Sequence, residues 1–333
     1  MFQELKNKYL ATLKSSETED WLDYRLIRPL CYFLAVFFAK LGIHPNAVTI
    51  ASMFIGAASS IFFLHGSFYY EGWYGFWLNI IGVLLLFVAD LFDCTDGQLA
   101  RLTGKKSRLG RILDGMAGFT WFIPIYVLLL FRFYQHHSLE FSWLGIPDTE
   151  QNALIATAVV TALALYSGFA CMGPQQRLAD YYIQIHLFML KGEKGSELDT
   201  SEQQQKAYDE TPAEGNRLWK YFLKVYIDYT RKQENSTPKF QQLMALLREK
   251  YGNAGNMPDE IRQELLRESR RIMPWNAMLT FNFRTGMFFL FCLIDLPACN
   301  FLFEIICLGL LTLCINRHHE AFCKKVSEKV QNT

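Results

Sequence analysis

The sequence lacks any sustained excess of charge of one sign. Its 333 residues carry 33 Lys and Arg against 32 Asp and Glu, a formal net charge of +1. A protein held to phosphate backbones needs a basic surface, so no nucleic-acid partner is expected. Cysteine pairing is missing too. The eight cysteines form no CxxC pair and no zinc-type spacing, and only Cys299 falls beside a connection free of Lys and Arg, so neither a disulfide framework nor a zinc site is expected. No internal repeat or low-complexity tract occurs. Met1 to Ser15 is amphipathic and carries lysines, unlike the short apolar core and small-residue cleavage site of a secretory signal, so no segment is expected to be removed.

Charge is scarcest over long runs. The apolar fraction is 51% and the aromatic fraction 15%, yet mean hydropathy is only +0.08, so apolar and polar residues must be segregated. Stretches near 47–66, 74–94, 110–132, 152–172, 277–296 and 298–316 are almost free of charge and long enough to cross a bilayer as helices. Leu30 to Leu41 is shorter and lies between Arg28 and Lys40, the pattern of an interfacial helix on the membrane surface.

Lys and Arg alternate between connections. Residues 1–46 hold six, 95–111 five, 173–276 sixteen and 317–333 four, whereas 67–73, 133–151 and 296–298 hold none. The positive-inside rule then places the termini, the 95–111 loop and the long 173–276 segment in the cytoplasm.

The expected fold class is all-α, an integral membrane six-helix bundle with an N-terminal interfacial helix and a cytoplasmic helical insertion. Its parts are the N-terminal helices 1–46, spans one to four in 47–172, the insertion 173–276, spans five and six in 277–316 and a tail 317–333. Within the insertion, helices are predicted over Gln175 to Lys191, Leu218 to Arg231, Pro238 to Tyr251 and Pro258 to Arg271. Gly56-Ala57-Ala58-Ser59-Ser60 predicts close helix approach in the first span.

Acids gather at one membrane edge. Asp90, Asp93 and Asp96 end the second span at three-residue spacing, a short polar loop from Cys94 to Leu109 follows, and Asp114 opens the third span. Carboxylates at that depth are costly unless paired, hydrated or bound to a cation. Hard divalent cations take oxygen ligands and are commonly shared between carboxylates and phosphates, so these acids with Arg101 and nearby glycines suit a metal-bound diphosphate. All acids cluster at one face, which disfavours a transporter path.

The pattern Asp93-x2-Asp96-Gly97-x2-Ala100-Arg101-x8-Gly110-x3-Asp114-x3-Gly118 resembles the signature of the CDP-alcohol phosphotransferases at seven of eight fixed positions. Pro45-Asn46-Ala47-Val48-Thr49 resembles the segment that opens the family's first span. The resemblance implies that Asp93, Asp96 and Asp114 hold Mg2+ or Mn2+, and that Gly97, Ala100, Arg101 and Gly110 join Asp93 and Asp96 at the CDP-alcohol. It further implies phospholipid synthesis: a phosphatidyl or substituted phosphate group passes from CDP-diacylglycerol or another CDP-alcohol to a hydroxyl acceptor, and CMP leaves. Membrane lipids are the expected surroundings, a homodimer is a candidate assembly, and the site is expected to face the cytoplasm of a bacterial inner membrane.

Gly118 stands where the family has its last aspartate, taken as a metal ligand and general base. Three explanations compete: another base such as Asp90, a catalytically silent CDP-lipid binder, or a residue altered in this chain. For the acceptor, Arg177 lies in a basic-then-acidic segment similar to that of several bacterial members, and Arg284 sits inside the fifth span. Guanidinium suits phosphate, which makes inositol phosphate a reasonable acceptor beside inositol, glycerol phosphate, serine or choline. Arg284 has the alternative of pairing with Asp295, and His186 that of touching an acceptor or merely packing.

Overall fold

The computed structural model describes residue 17 and residues 23–105, 107–193, 196, 198–212 and 214–332, with the side chains at 23, 108, 111, 112, 114 and 115 outside that description. The amphipathic Met1 to Ser15 segment lies outside the described residues. Among those described there is no strand, and helix makes up 86%. In chain order the helices are α1 (Arg28–Lys40), α2 (Pro45–Leu64), α3 (Phe68–Thr103), α4 (Arg108–Gln135), α5 (Ser138–Leu144), α6 (Glu150–Leu165) and α7 (Gly173–Lys191). They continue as α8 (Ser201–Glu210), α9 (Arg217–Ser236), α10 (Pro238–Tyr251), α11 (Asp259–Ala277), α12 (Phe281–Leu293), α13 (Cys299–Phe303) and α14 (Gly309–Asn332).

The chain divides into two compact units, Met1–Ser167 with Thr285–Phe303, and Gly168–Arg284 with Glu304–Thr333. Among the described residues, five helical stretches are long and apolar enough to cross a membrane: Pro45–Leu64, Phe68–Thr103, Met116–Gln135, Glu150–Lys191 and Cys299–Asn332. The expected fifth span, 277–296, contains only the 13-residue α12. At 1.5 Å per residue that helix is about 20 Å long, short of a hydrocarbon core of roughly 30 Å.

In the first unit α2 packs against both α3 and α4. His44 starts α2, its Nδ1 accepting from the Asn46 amide at 3.2 Å, and Pro45 occupies a first-turn position where its missing N–H costs nothing. A Cβ on Gly56 would lie 2.2 Å from the Trp121 ring of α4, so glycine is required for this approach. The hydroxyls of Ser52, Ser59 and Ser60 donate to carbonyls three residues earlier at 2.6–2.7 Å, which satisfies them inside an apolar bundle.

At the Leu64 end of α2 the first unit is tied by charge. The buried Arg132 of α4 pairs with Asp295, and its Nη1 also donates to Phe63 O at 2.9 Å and Asn79 Oδ1 at 3.3 Å. Asp295 accepts in addition from Ser67 Oγ at 2.9 Å and the Tyr69 amide at 2.5 Å. The acid therefore gathers α4, the α2–α3 turn and the end of α12. It sits at φ 66°, the left-handed region that an aspartate tolerates better than most residues.

The second unit confirms the four helices expected in the insertion and adds α8, whose N-terminus carries a capping box between Thr200 and Gln203. Residues 317–333 were expected as a tail; through Asn332 they form part of α14, which packs on α10. Glu320 of α14 accepts from the Lys239 and Phe240 amides at 2.6 and 3.3 Å, capping α10 from outside. His186 is fully buried with Nδ1 2.9 Å from Ser269 Oγ, a packing histidine.

Breaking a buried ion pair by removing one partner leaves the other charge uncompensated, at about 3–5 kcal/mol. Asp295→Ala should therefore lower the melting temperature of the detergent-purified protein sharply. Adding Arg132→Met should recover much of the loss, and a strictly additive double variant would refute the pairing as the cause.

Candidate active site

Three helix ends carry the signature: the start of α2, the last turns of α3 and the first turns of α4. The polar loop expected from Cys94 to Leu109 is mostly helix. α3 runs to Thr103 and stops at Gly104, whose φ of 69° ends it in the left-handed region. Thr95 and Thr103 satisfy their hydroxyls on Leu91 O and Leu99 O at 2.5 and 2.7 Å, so the polar residues do not interrupt the helix. Ser107 then starts α4 by accepting from the Gly110 amide at 2.9 Å.

Helical continuity places the signature residues together. At about 100° per residue, Asp93, Asp96, Gly97, Ala100 and Arg101 fall within an arc of about 140° on α3. The remaining surface holds the helix in place. Leu99 is fully buried with Ala35 of α1 and Val48 of α2, and Phe92 meets Phe38 edge-on with ring centroids 5.6 Å apart. Gln98, also fully buried, donates to Arg28 O at 3.3 Å.

The Pro45-Asn46-x-x-Thr49 segment holds both halves of the signature. Thr49, 2% exposed, donates its hydroxyl to the carboxylate of Asp96, 6% exposed. Asn46 Oδ1 accepts from Ser107 Oγ at 3.2 Å. A Cβ on Gly110 would lie 2.9 Å from Asn46 Oδ1 and 3.0 Å from Ser107 Oγ, so this glycine is where α4 closes on α2. Gly97 differs: a Cβ there would meet only the Arg101 guanidinium, at an ordinary 3.5 Å, so the protein's own packing does not demand glycine.

Asp90 and Asp93 are half-buried on α3. Asp90 lies one turn deeper than Asp93, on the Gly97 and Arg101 side of the arc and about 120° around the helix from Asp96. Near it, Arg28 donates to Cys94 Sγ at 2.9 Å. Asp114 lies on α4, its side chain outside the described residues. Gly118 follows one turn later, and among the described residues no atom outside its own helix backbone and chain neighbours lies within 4 Å of the position its Cβ would take.

The two expected acceptor residues belong to the other unit. Arg284, 3% exposed, donates Nη2 to Gln175 Oε1 at 2.5 Å and Nε to Leu279 O at 3.0 Å, with Glu304 at 3.8 Å. Its acidic neighbour is thus Glu304, and the alternative pairing with Asp295 is replaced by Arg132–Asp295. Arg177 is half-buried on α7, its carbonyl accepting from Gln233 at 3.0 Å. Three residues on, Asp180 accepts from the Tyr229 hydroxyl at 2.9 Å, and burial pushes that phenol upward so that it stays a donor.

His319, Glu320 and Cys323 also bring metal-capable atoms within 4.8 Å of one another. Their packing explains them: Glu320 caps α10, and His319 rests against the Tyr182 and Phe240 rings at 4.9 and 5.6 Å.

The arrangement of acids, glycines and arginine around a helix end has a counterpart among known families. Residues 42–173 match the CDP-alcohol phosphatidyltransferase family model. No curated protein and no solved structure matches the chain. The matched segment contains the Asn46–Thr49 motif and every signature position from Asp93 to Gly118. CDP-alcohol phosphatidyltransferases transfer substituted phosphate groups, and the match supports phosphatidyl transfer from a CDP-alcohol. Sequence reasoning picked out the signature but missed that Thr49, Asn46 and Ser107 hold it. The serine three residues before Gly110 was the available signal for a helix cap.

Thr49 hydrogen-bonds Asp96, and its expected role is to position that carboxylate. Thr49→Val should weaken function about ten- to a hundredfold, as loss of a hydrogen bond to a charged group does, while melting temperature stays near wild type. Thr49→Ser should restore most of it. The measurements are divalent-cation dependence of CDP-alcohol binding and thermal melting; no rescue by serine would assign Thr49 to packing.

Proposed function

We propose that this chain is a metal-dependent CDP-alcohol phosphotransferase of phospholipid synthesis, embedded by several spans with its signature at the cytoplasmic face. It would move a phosphatidyl group from CDP-diacylglycerol to a hydroxyl acceptor. The observation that carries the reading is the single arc of Asp93, Asp96, Gly97, Ala100 and Arg101, pinned by Thr49, within the matched segment.

The residues fit a divalent cation. Their donor set is carboxylate oxygen, the preference of Mg2+ and Mn2+, and Asp96 is buried yet already oriented by a neutral hydroxyl. Asp93, Asp96 and Asp114 would hold the ion, which when bound neutralises charge on the diphosphate. Arg101 supplies a further positive charge at the same face, and Gly97 leaves the helix backbone open to a nucleotide.

The base is the open part of the reading. Asp90 shares the arc and is the proposed group that takes the acceptor's proton. Arg284 is engaged within its own unit, so Arg177 is the proposed contact for a phosphorylated acceptor such as inositol phosphate. Gly118 favours a second reading, a silent CDP-lipid binder, because glycine can neither ligate nor accept a proton.

Three variants separate these readings in a CMP-release assay with CDP-diacylglycerol and a panel of acceptors. The transferase reading expects metal-dependent release by the natural chain, its loss in Asp93→Asn together with metal-dependent CDP-alcohol binding, and strong impairment in Asp90→Asn. Among the described residues nothing crowds the Cβ position at Gly118. If the base is missing, Gly118→Asp should gain activity, up to the hundred- to ten-thousandfold of a positioned base. Release absent both in the natural chain and in Gly118→Asp, with CDP-alcohol binding intact, would sink the transferase and leave the binder. Arg177→Ala should weaken a phosphorylated acceptor about ten- to a hundredfold and spare the CDP-alcohol; equal weakening of both would make Arg177 structural.

A further inference from the structure

We propose that α9 docks on an anionic bilayer surface through an exposed strip formed by Leu218, Tyr221 and Val225, an interaction separate from the transfer chemistry. The three side chains are 64%, 67% and 50% exposed. At 100° per residue they lie within about 60° of one another, a continuous line along two turns. The opposite side of the same helix is buried in the second unit through Leu223, Ile227 and Thr230. α9 is thus apolar on two separate faces, and packing within the unit covers only one.

The charge beside the strip identifies the occupant. Arg217 and Lys224 are exposed on its edge, within about 120° of every strip residue. The one acid on that edge, Asp228, is matched by Lys232 at 2.6 Å, which leaves the edge net positive. Lys and Arg on the polar side with Leu, Val and an amphipathic Tyr on the other is the composition of a helix lying in a headgroup layer. The helix is itself too polar to span and is not among the five apolar stretches. Since those five can anchor the chain in a bilayer, a lipid surface is always at hand. The strip is also stiff: Trp219, Phe222 and Tyr226 stack behind it with centroids 5.2 and 6.1 Å apart.

The test places the environment-sensitive dansylalanine at Tyr221 in the full-length chain, reconstituted in nanodiscs of phosphatidylcholine alone or mixed with phosphatidylglycerol. Docking should blue-shift emission in the mixed discs relative to the neutral ones. Arg217→Gln and Lys224→Gln should each lower the docking equilibrium constant about fivefold, the effect of one surface cation, and high salt should weaken docking by screening. Equal emission in both discs and in detergent would overturn the proposal. So would a blue shift in detergent that rises with protein concentration, because a second copy would then cover the strip.

Discussion

The hydroxyl of Thr49 on the carboxylate of Asp96 joins the two helices on which the rest of the site is built. A carboxylate 6% exposed at the end of an apolar helix needs hydrogen-bond partners, and the Thr49 hydroxyl supplies one. Thr49 is available only because α2 begins at Pro45, four residues earlier, with His44 capping its first turn. The same turn offers Asn46 to Ser107, so one short segment sets the distance of α2 from both α3 and α4. Gly56 and Gly110 keep that distance small: a Cβ at either would collide, with the Trp121 ring or with Asn46 and Ser107.

Charge is treated differently at the other end of the same helices. There Arg132 and Asp295 neutralise each other, and surrounding groups, Phe63 O, Asn79, Ser67 and the Tyr69 amide, use up their remaining bonding capacity. A fully satisfied buried pair is rigid and chemically quiet. At the signature end, the buried Asp96 instead accepts from the neutral hydroxyl of Thr49. The first unit thus holds one closed polar cluster, which ties helix ends together, and one set of acids on an arc suited to a charged ligand.

Much of this was legible because apolar length, basic-loop alternation and a fixed-spacing motif are all one-dimensional signals. The insertion helices were visible through periodicity and through Pro238 and Pro258. The errors came where a local polar signal met a longer helix. Cys94 to Leu109 looks like a loop, yet Thr95 and Thr103 bond their own backbone and Gly104 is the real stop. The 277–296 stretch is apolar enough to span, but α12 ends at Leu293 and Asp295 turns the chain. The 317–333 segment looks like a charged tail, while its buried face of His319, Cys323, Val326 and Val330 reads clearly once α10 is known to lie against it. Partner choice fails for a similar reason: Asp295 and Arg284 are near in sequence, but Arg132 and Glu304 are their partners in space.

Gly118 separates two properties that a signature normally joins. The residues that would grip a CDP-alcohol depend on the α2 anchor, and that anchor is complete whether or not position 118 carries an acid. Among the described residues nothing lies within 4 Å of the Cβ that Gly118 would carry, so no close approach seen there explains the glycine as it does Gly56 and Gly110. A structural reason for losing the carboxylate is therefore lacking, and its absence bears on chemistry rather than on folding. Binding needs charge neutralisation and a tight helix junction; turnover also needs a proton acceptor at the right moment. Asp90 is the acid that α3 supplies on the same arc, one turn deeper than Asp93, and it is the proposed proton acceptor.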